Sequence, residues 1–200
     1  MSITSSKIYR KLLSPHGGDD PGKVGINGAL EKDINLEIAQ MVKQFLEMQD
    51  IEVVLTREDE NGLYDADASN KKVQDMKRRV AIIEECAPEA VVSIHQNSYP
   101  EEYVHGAQVF YYNGSRAGQE LAETIQRQLV EKVDPDNKRQ IKANDSYYLL
   151  KKTSTPIVIV ECGFLSNQEE ARKLSDRAYQ EDVAWAIQMG ILRYINGGME

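Results

Sequence analysis

Short apolar runs rich in β-branched residues alternate along this chain with longer stretches whose apolar residues recur every three or four positions. IEVVLT at 51–56, AVVSIH at 90–95, AQVFYY at 107–112 and PIVIVE at 156–161 have the length and composition of strands. A shorter first strand is expected over 8–13. Ile34, Ile38, Met41, Val42 and Phe45 mark a helix over 31–48, and Val73, Met76, Val80 and Ile83 mark a second. Leu121, Ile125 and Leu129 mark a third over 117–133, and two more helices are expected at 169–174 and 178–195. Strands that alternate with helices pack as a sheet between helical layers. The expected fold class is therefore α/β: a three-layer sandwich, with a mixed, mostly parallel twisted sheet of about six strands and helices on both faces. Only a loop separates 90–95 from 107–112, too little chain for a helical crossover, so one antiparallel pair is expected there. The segments 58–70 and 134–146 are polar and read as loops. No repeat, low-complexity tract or linker breaks the pattern, so residues 1–200 are read as one domain.

Charge narrows the partners. A net charge of −8 with a pI near 5.1 argues against a nucleic-acid binder and against a polybasic membrane-surface protein. No apolar stretch is long enough to be a transmembrane segment. The opening MSITSSKIYRK lacks the apolar middle of a secretory signal, so an export segment is expected to be absent from this chain. Two cysteines, Cys86 and Cys162, are too few for a disulfide framework and form no CxxC pair.

The chemistry gathers at the ends of apolar runs. His16 follows RKLLSP, His95 follows AVVSI and Glu161 follows PIVIV. In open α/β sheets, sites form outside the carboxyl ends of strands. His16, Glu31 and His95 together would offer two imidazoles and a carboxylate, the three-ligand set of a catalytic zinc with one position left for water. Glu161 would then serve as the base that takes a proton from water and returns it to a leaving amine. Each residue also has a plainer reading: a loop histidine, a core histidine, an ordinary acid at a helix start. Glu161 is the hardest to read that way, because a carboxylate after IVIV is seldom buried without a partner. His105 reads as a surface loop residue. No His-Glu-x-x-His motif supports the zinc set locally. Lys23 is followed by Val24, where a P-loop needs Ser or Thr, and no GxSxG elbow occurs. A Cys162–His95 hydrolase remains an alternative, although strand alternation puts Glu161 and Cys162 on opposite faces.

At these residues the chain resembles the zinc-dependent N-acetylmuramoyl-L-alanine amidases of the type-3 family. The matching segments, in order, are HGG at 16–18, NGALEKDINLEIA at 27–39, VVLTR at 53–57, RRVAIIEE at 78–85, VVSIHQNS at 91–98, GAQVFYY at 106–112 and ECGFLSNQEE at 161–170. It is most similar to the germination-specific amidases of spore formers. The resemblance implies Zn2+ held by His16, Glu31 and His95, with Glu161 catalytic. It implies hydrolysis of the amide between the lactyl group of N-acetylmuramic acid and L-alanine in peptidoglycan. It further implies a spore-cortex setting, an extracytoplasmic location in the cell wall or spore envelope, and, for some members, a lipoprotein activator. Asn97, two residues after His95, would orient substrate if the strand continues, and residues 100–105 would flank the cleft. Arg57 and Arg79 could pair with stem-peptide carboxylates, but the plainer reading of both, as solvated or structural, is preferred. One departure stands out. The family usually reads Asp-x-Gly before His-Gly-Gly, and here Leu13-Ser14-Pro15 takes that place. Loss of that Asp would remove an acceptor for the histidine and weaken metal binding. The alternatives are thus a metal-deficient peptidoglycan-binding protein without turnover, or a Cys162-based hydrolase.

Overall fold

The computed structural model describes residues 9–13 and 16–197. Its strands are β1 (Tyr9–Leu13), β2 (Glu52–Leu55), β3 (Ala90–Asn97), β4 (Gln108–Tyr111), β5 (Lys142–Ala143) and β6 (Ile157–Phe164). Its helices are α1 (Glu31–Glu47), α2 (Lys71–Cys86), α3 (Arg116–Lys132), α4 (Tyr148–Lys152), α5 (Gln168–Leu174) and α6 (Arg177–Ile195). The strands form one sheet in the order β2-β1-β3-β6-β4-β5. Every neighbouring pair is parallel except β4 with β6. The first strand begins at Tyr9, and Ile8, also expected in it, lies outside the described residues.

Alternation along each strand sorts the core into two layers. Val92, Ile94, Val109, Val158 and Val160 pack with Ile38 and Val42 of α1, Leu121 and Ile125 of α3, and Val183 and Ile187 of α6. Their neighbours Val91, Phe110, Ile157 and Ile159 face the other way, onto Ile83 of α2 and Leu149 and Leu150 of α4. With helices on both faces, the architecture is the α/β sandwich the alternation predicts.

The antiparallel pair differs from expectation. β4 does not pair with β3, because β6 lies between them, parallel to β3 and antiparallel to β4. The reason is burial. β6 is buried along its whole length, and only an interior position gives its backbone hydrogen bonds on both edges. The 98–107 connection reaches over the end of β6, and contacts with the residues just beyond that strand hold it there. The Leu165 amide donates to the Asn97 carbonyl, and the Tyr99 amide donates to Ser166 Oγ. Two short elements, β5 and α4, occur where the polarity and length of the segments mark only connection. α4 is too short to show a helical period, and is held by burial of Leu149 and Leu150.

Most helices start on a side chain that accepts a first-turn amide: Asn70 for α2, Ser115 for α3, Asn167 for α5 and Asp176 for α6. α1 differs. Its preceding residue, Leu30, offers no cap, and the Glu31 and Lys32 amides donate to the carbonyls of Lys23 and Pro21. The loop after β1 is thereby fastened to the start of α1, which brings His16 toward Glu31. Among the described residues, no helix is long and apolar enough to cross a membrane.

Candidate metal centre

Three elements deliver three donors. His16 comes from the loop after β1, Glu31 is the first residue of α1, and His95 lies near the end of β3. One ligand atom from each falls within 4.8 Å of the others. Glu31 is nearly sealed from solvent and sits between the rings. Its Oε1 lies 3.1 Å from His95 Nδ1 and its Oε2 lies 3.5 Å from His16 Nε2. Amides fix the carboxylate as well: Gln96 N–H donates to Oε1 at 3.1 Å and Lys23 N–H to Oε2 at 2.7 Å. The imidazoles meet edge to face, their centroids 5.7 Å apart.

The nitrogen of each ring that points away from Glu31 is held by an oxygen. His95 Nε2 lies 3.0 Å from Ser93 Oγ, and His16 Nδ1 lies 3.0 Å from Asp20 Oδ2. Such outer contacts orient an imidazole and fix which nitrogen can bind metal. His16 Nδ1 thus has an acceptor in Asp20, four residues downstream, whose other oxygen accepts the Gly22 amide at 3.0 Å. Ser14 and Pro15, where the chain departs from the family pattern, lie outside the described residues. Sequence reasoning misses Asp20 because a glycine-rich loop has no period from which a spacing of four could signal contact.

Charge at the centre is finely opposed. Burial works against the Glu31 anion, but the His95 hydrogen bond, the two imidazoles and the Lys23 amide outweigh it, and its carboxyl falls to about 2. Two imidazole nitrogens and an ionised carboxylate within reach of one point fit a zinc ion. Glycine is required beside them. At Gly22, where φ is +69°, a Cβ would come within 2.6 Å of Glu31 Oε2 and 2.8 Å of His16 Cδ2. Gly22→Ala is expected to destabilise the fold by about 1–2 kcal/mol from backbone conformation alone, and to weaken metal binding by displacing Glu31. Thermal melts and zinc titration check both, and an unchanged zinc affinity would count against this packing argument.

Glu161 lies beside His95. The two are paired in register across β3 and β6, and Gln108 of β4 completes the row. Parallel neighbours in register project to the same face. Glu161 is 7% exposed, and its Oε2 is buried without a hydrogen-bond partner. Burial, then the charge of Glu31, pushes its carboxyl up to about 8, against the opposing pull of His16 and Lys23. A buried carboxylate oxygen with no partner is costly, and it is the second observation that suits a cation close by. A cavity of about 420 Å³ opens beside His16 and His95, and its lining includes Tyr64, Met76, Tyr147, Leu149, Lys71 and Lys72.

Other expected residues fare differently. Cys162 is 1% exposed, packs into the opposite core layer, and has its thiol pushed up by burial and then by the Glu161 charge. A nucleophilic thiolate there is excluded by position and by protonation. Asn97 follows His95 by two in β3 and is likewise half-buried; the extra residue at the register shift beside it falls in β6, between Glu161 and Phe164, and Asn97 Oδ1 accepts the Ser98 amide. Arg79 is fully buried against Asp75 and Thr56, and Arg57 donates to the Asp59 and Lys32 carbonyls, so both are structural. His105 is exposed.

The family model described as N-acetylmuramoyl-L-alanine amidase matches residues 12–193. A germination-specific N-acetylmuramoyl-L-alanine amidase of Bacillus subtilis is 37% identical over 198 residues, covering 97% of this chain and 81% of its own length. The structure of the CwlD amidase from Clostridioides difficile, solved in complex with the GerS lipoprotein, superposes with a TM-score of 0.92 at 38% identity. That match covers 95% of this chain and 99% of that one. The amidase AmiC2 of Nostoc punctiforme superposes with a TM-score of 0.82 at 33% identity, over 96% and 99% of the two chains. Since the matched span holds all four candidate residues, and the likeness extends from sequence to fold, the chain belongs to the N-acetylmuramoyl-L-alanine amidase family.

Proposed function

We propose that this protein is a zinc-dependent peptidoglycan amidase that hydrolyses the bond between the lactyl group of N-acetylmuramic acid and L-alanine of the stem peptide. The observation that carries this reading is the meeting of His16, Glu31 and His95 within 4.8 Å, beside the buried, unpartnered Glu161 carboxyl. His16, Glu31 and His95 would hold zinc. When bound, zinc supplies Lewis acidity, lowering the pKa of water to near 7 and polarising a carbonyl.

The chain's own groups do the rest. Glu161 takes the proton of the attacking water and returns it to the L-alanine nitrogen as the C–N bond breaks. In the metal-free chain burial pushes its carboxyl up to about 8, and a cation held beside Glu31 would favour the ionised form that a general base needs. Glu31, held low by its partners, stays an anion throughout. The cavity beside the two histidines, walled largely by aromatic and aliphatic side chains, would receive the substrate on one side of the scissile bond. The single domain acts extracytoplasmically in this reading, on cell-wall or spore-cortex peptidoglycan. Likeness to a germination-specific amidase supports the cortex setting, and the lipoprotein complex of the Clostridioides difficile relative supports a lipoprotein activator.

Purified protein incubated with peptidoglycan should expose new L-alanine amino groups. A chelator should abolish the release and added zinc should restore it. Cys162→Ser should keep activity within a few-fold of wild type. Binding to peptidoglycan without cleavage at any zinc concentration would favour a binding protein instead. Chelator-resistant cleavage lost in Cys162→Ser would replace the zinc mechanism altogether.

A further inference from the structure

The loop that carries His16 has a backbone that has to be held. His16 has φ +62° and Gly18 has φ +58°. Residues other than glycine adopt the left-handed region only a few per cent of the time, and such conformations persist where surrounding structure enforces them. The side chain that meets this loop is Tyr64, from the 57–70 connection. Its hydroxyl straddles Gly18, accepting the Asp19 amide at 2.6 Å and donating to the Gly17 carbonyl at 3.3 Å. Its ring takes up the space that side chains at either of two glycines would need. A Cβ on Gly18 would lie 2.0 Å from Tyr64 Oη, and one on Gly62 would lie 2.0 Å from the ring.

Further contacts hold the same place, among them one from Lys32 Nζ, which donates to the Gly18 carbonyl at 3.0 Å. Lys71 Nζ reaches Asp19 Oδ2 at 2.5 Å and lies 5.2 Å from the centre of the Tyr64 ring. The Gly18 amide donates to the Glu60 carbonyl. The support is itself anchored on α2. Leu63 N–H donates to Asp75 Oδ1, and Asp75 is paired with the fully buried Arg79.

We propose that Tyr64 is a positioning residue for the metal centre: its hydroxyl clamps the backbone of residues 17–19 and so keeps His16 in the conformation that aims Nε2 at Glu31. The inference rests on His16 being a metal ligand, as proposed above. A ligand displaced by even a fraction of an ångström loses much of its value to a metal. The shorter of the two bonds, from the Asp19 amide, lies at the surface, where water can replace the hydroxyl, while the longer one, to the Gly17 carbonyl, is part-buried. Their loss therefore falls on the aim of His16 more than on the fold.

Tyr64→Phe keeps the ring between Gly18 and Gly62 and removes only the hydroxyl. Zinc affinity, measured by competition with a chelating dye, should fall by about tenfold, while the metal-free melting temperature stays within a few degrees of wild type. Lys71→Met, which removes an exposed ion pair, should lower zinc affinity by about twofold or less. Wild-type zinc affinity in Tyr64→Phe would overturn the proposal. So would a loss of affinity no larger than the accompanying loss of metal-free stability, since that marks a purely structural role. His16→Ala separates the two levels. If it binds zinc as tightly as wild type, the ligand assignment falls, and the role of Tyr64 falls with it.

Discussion

Glu161→Gln should leave the protein folded and zinc bound but lower turnover on peptidoglycan by about 10²–10⁴-fold, the usual contribution of a general base. The substitution preserves shape and removes only the capacity to carry a proton. Glu161 is not one of the three grouped donors, His16, Glu31 and His95, so zinc content should stay at the wild-type level. It stands in register with His95 across β3 and β6, and its proposed role rests on that placement. Zinc analysis beside a kinetic assay separates the two effects. Wild-type turnover in the variant would reject Glu161 as the base, and loss of zinc along with turnover would instead make it a ligand.

The second large effect concerns stability, and its sign is opposite. In the metal-free protein, Glu161→Gln should stabilise the fold at alkaline pH. Burial and Glu31 raise this carboxyl from an ordinary 4.5 to about 8. Between those values the folded chain holds a proton that the unfolded chain has released, so stability falls as pH rises through the window. The full cost of the buried anion is present above pH 8, and by linkage it is on the order of 5 kcal/mol. Glutamine never pays it. The melting temperatures of variant and wild type should coincide near pH 4.5, diverge through pH 8 and run parallel above. The comparison is made with chelator present, because a divalent cation beside Glu31 would favour the Glu161 anion and shrink the gap. Curves that stay parallel from pH 4.5 to 9 would show that Glu161 is not buried as described.

The physics of each residue decides how legible it is in the sequence. His95 and Glu161 stand out because each interrupts an apolar strand at its carboxyl end, and strand direction alone puts such residues at a sheet rim. Glu31 does not stand out: acidic residues favour helix starts whatever their function, and its role comes only through family resemblance. Asp20 and Tyr64 belong to loops, which have no period, and Tyr64 reaches the His16 loop across 45 positions of sequence. The direction of β4 can be inferred from a connection too short for a crossover. Its neighbour cannot, because the strand that separates it from β3 arrives some fifty residues later.

That late arrival bears on timing. β3 and β4 are synthesised before β6, the strand that lies between them in the sheet, and β6 follows only after most of the chain has been made. The same insertion brings Glu161 into line with His95 and Gln108. A slip of one residue would turn Glu161 into the core and bring Cys162 out in its place. Closing the sheet and arming the proposed enzyme are thus a single event. A partly made chain, still missing its central strand, carries the three residues proposed to hold zinc and lacks Glu161, the residue proposed to cut a wall.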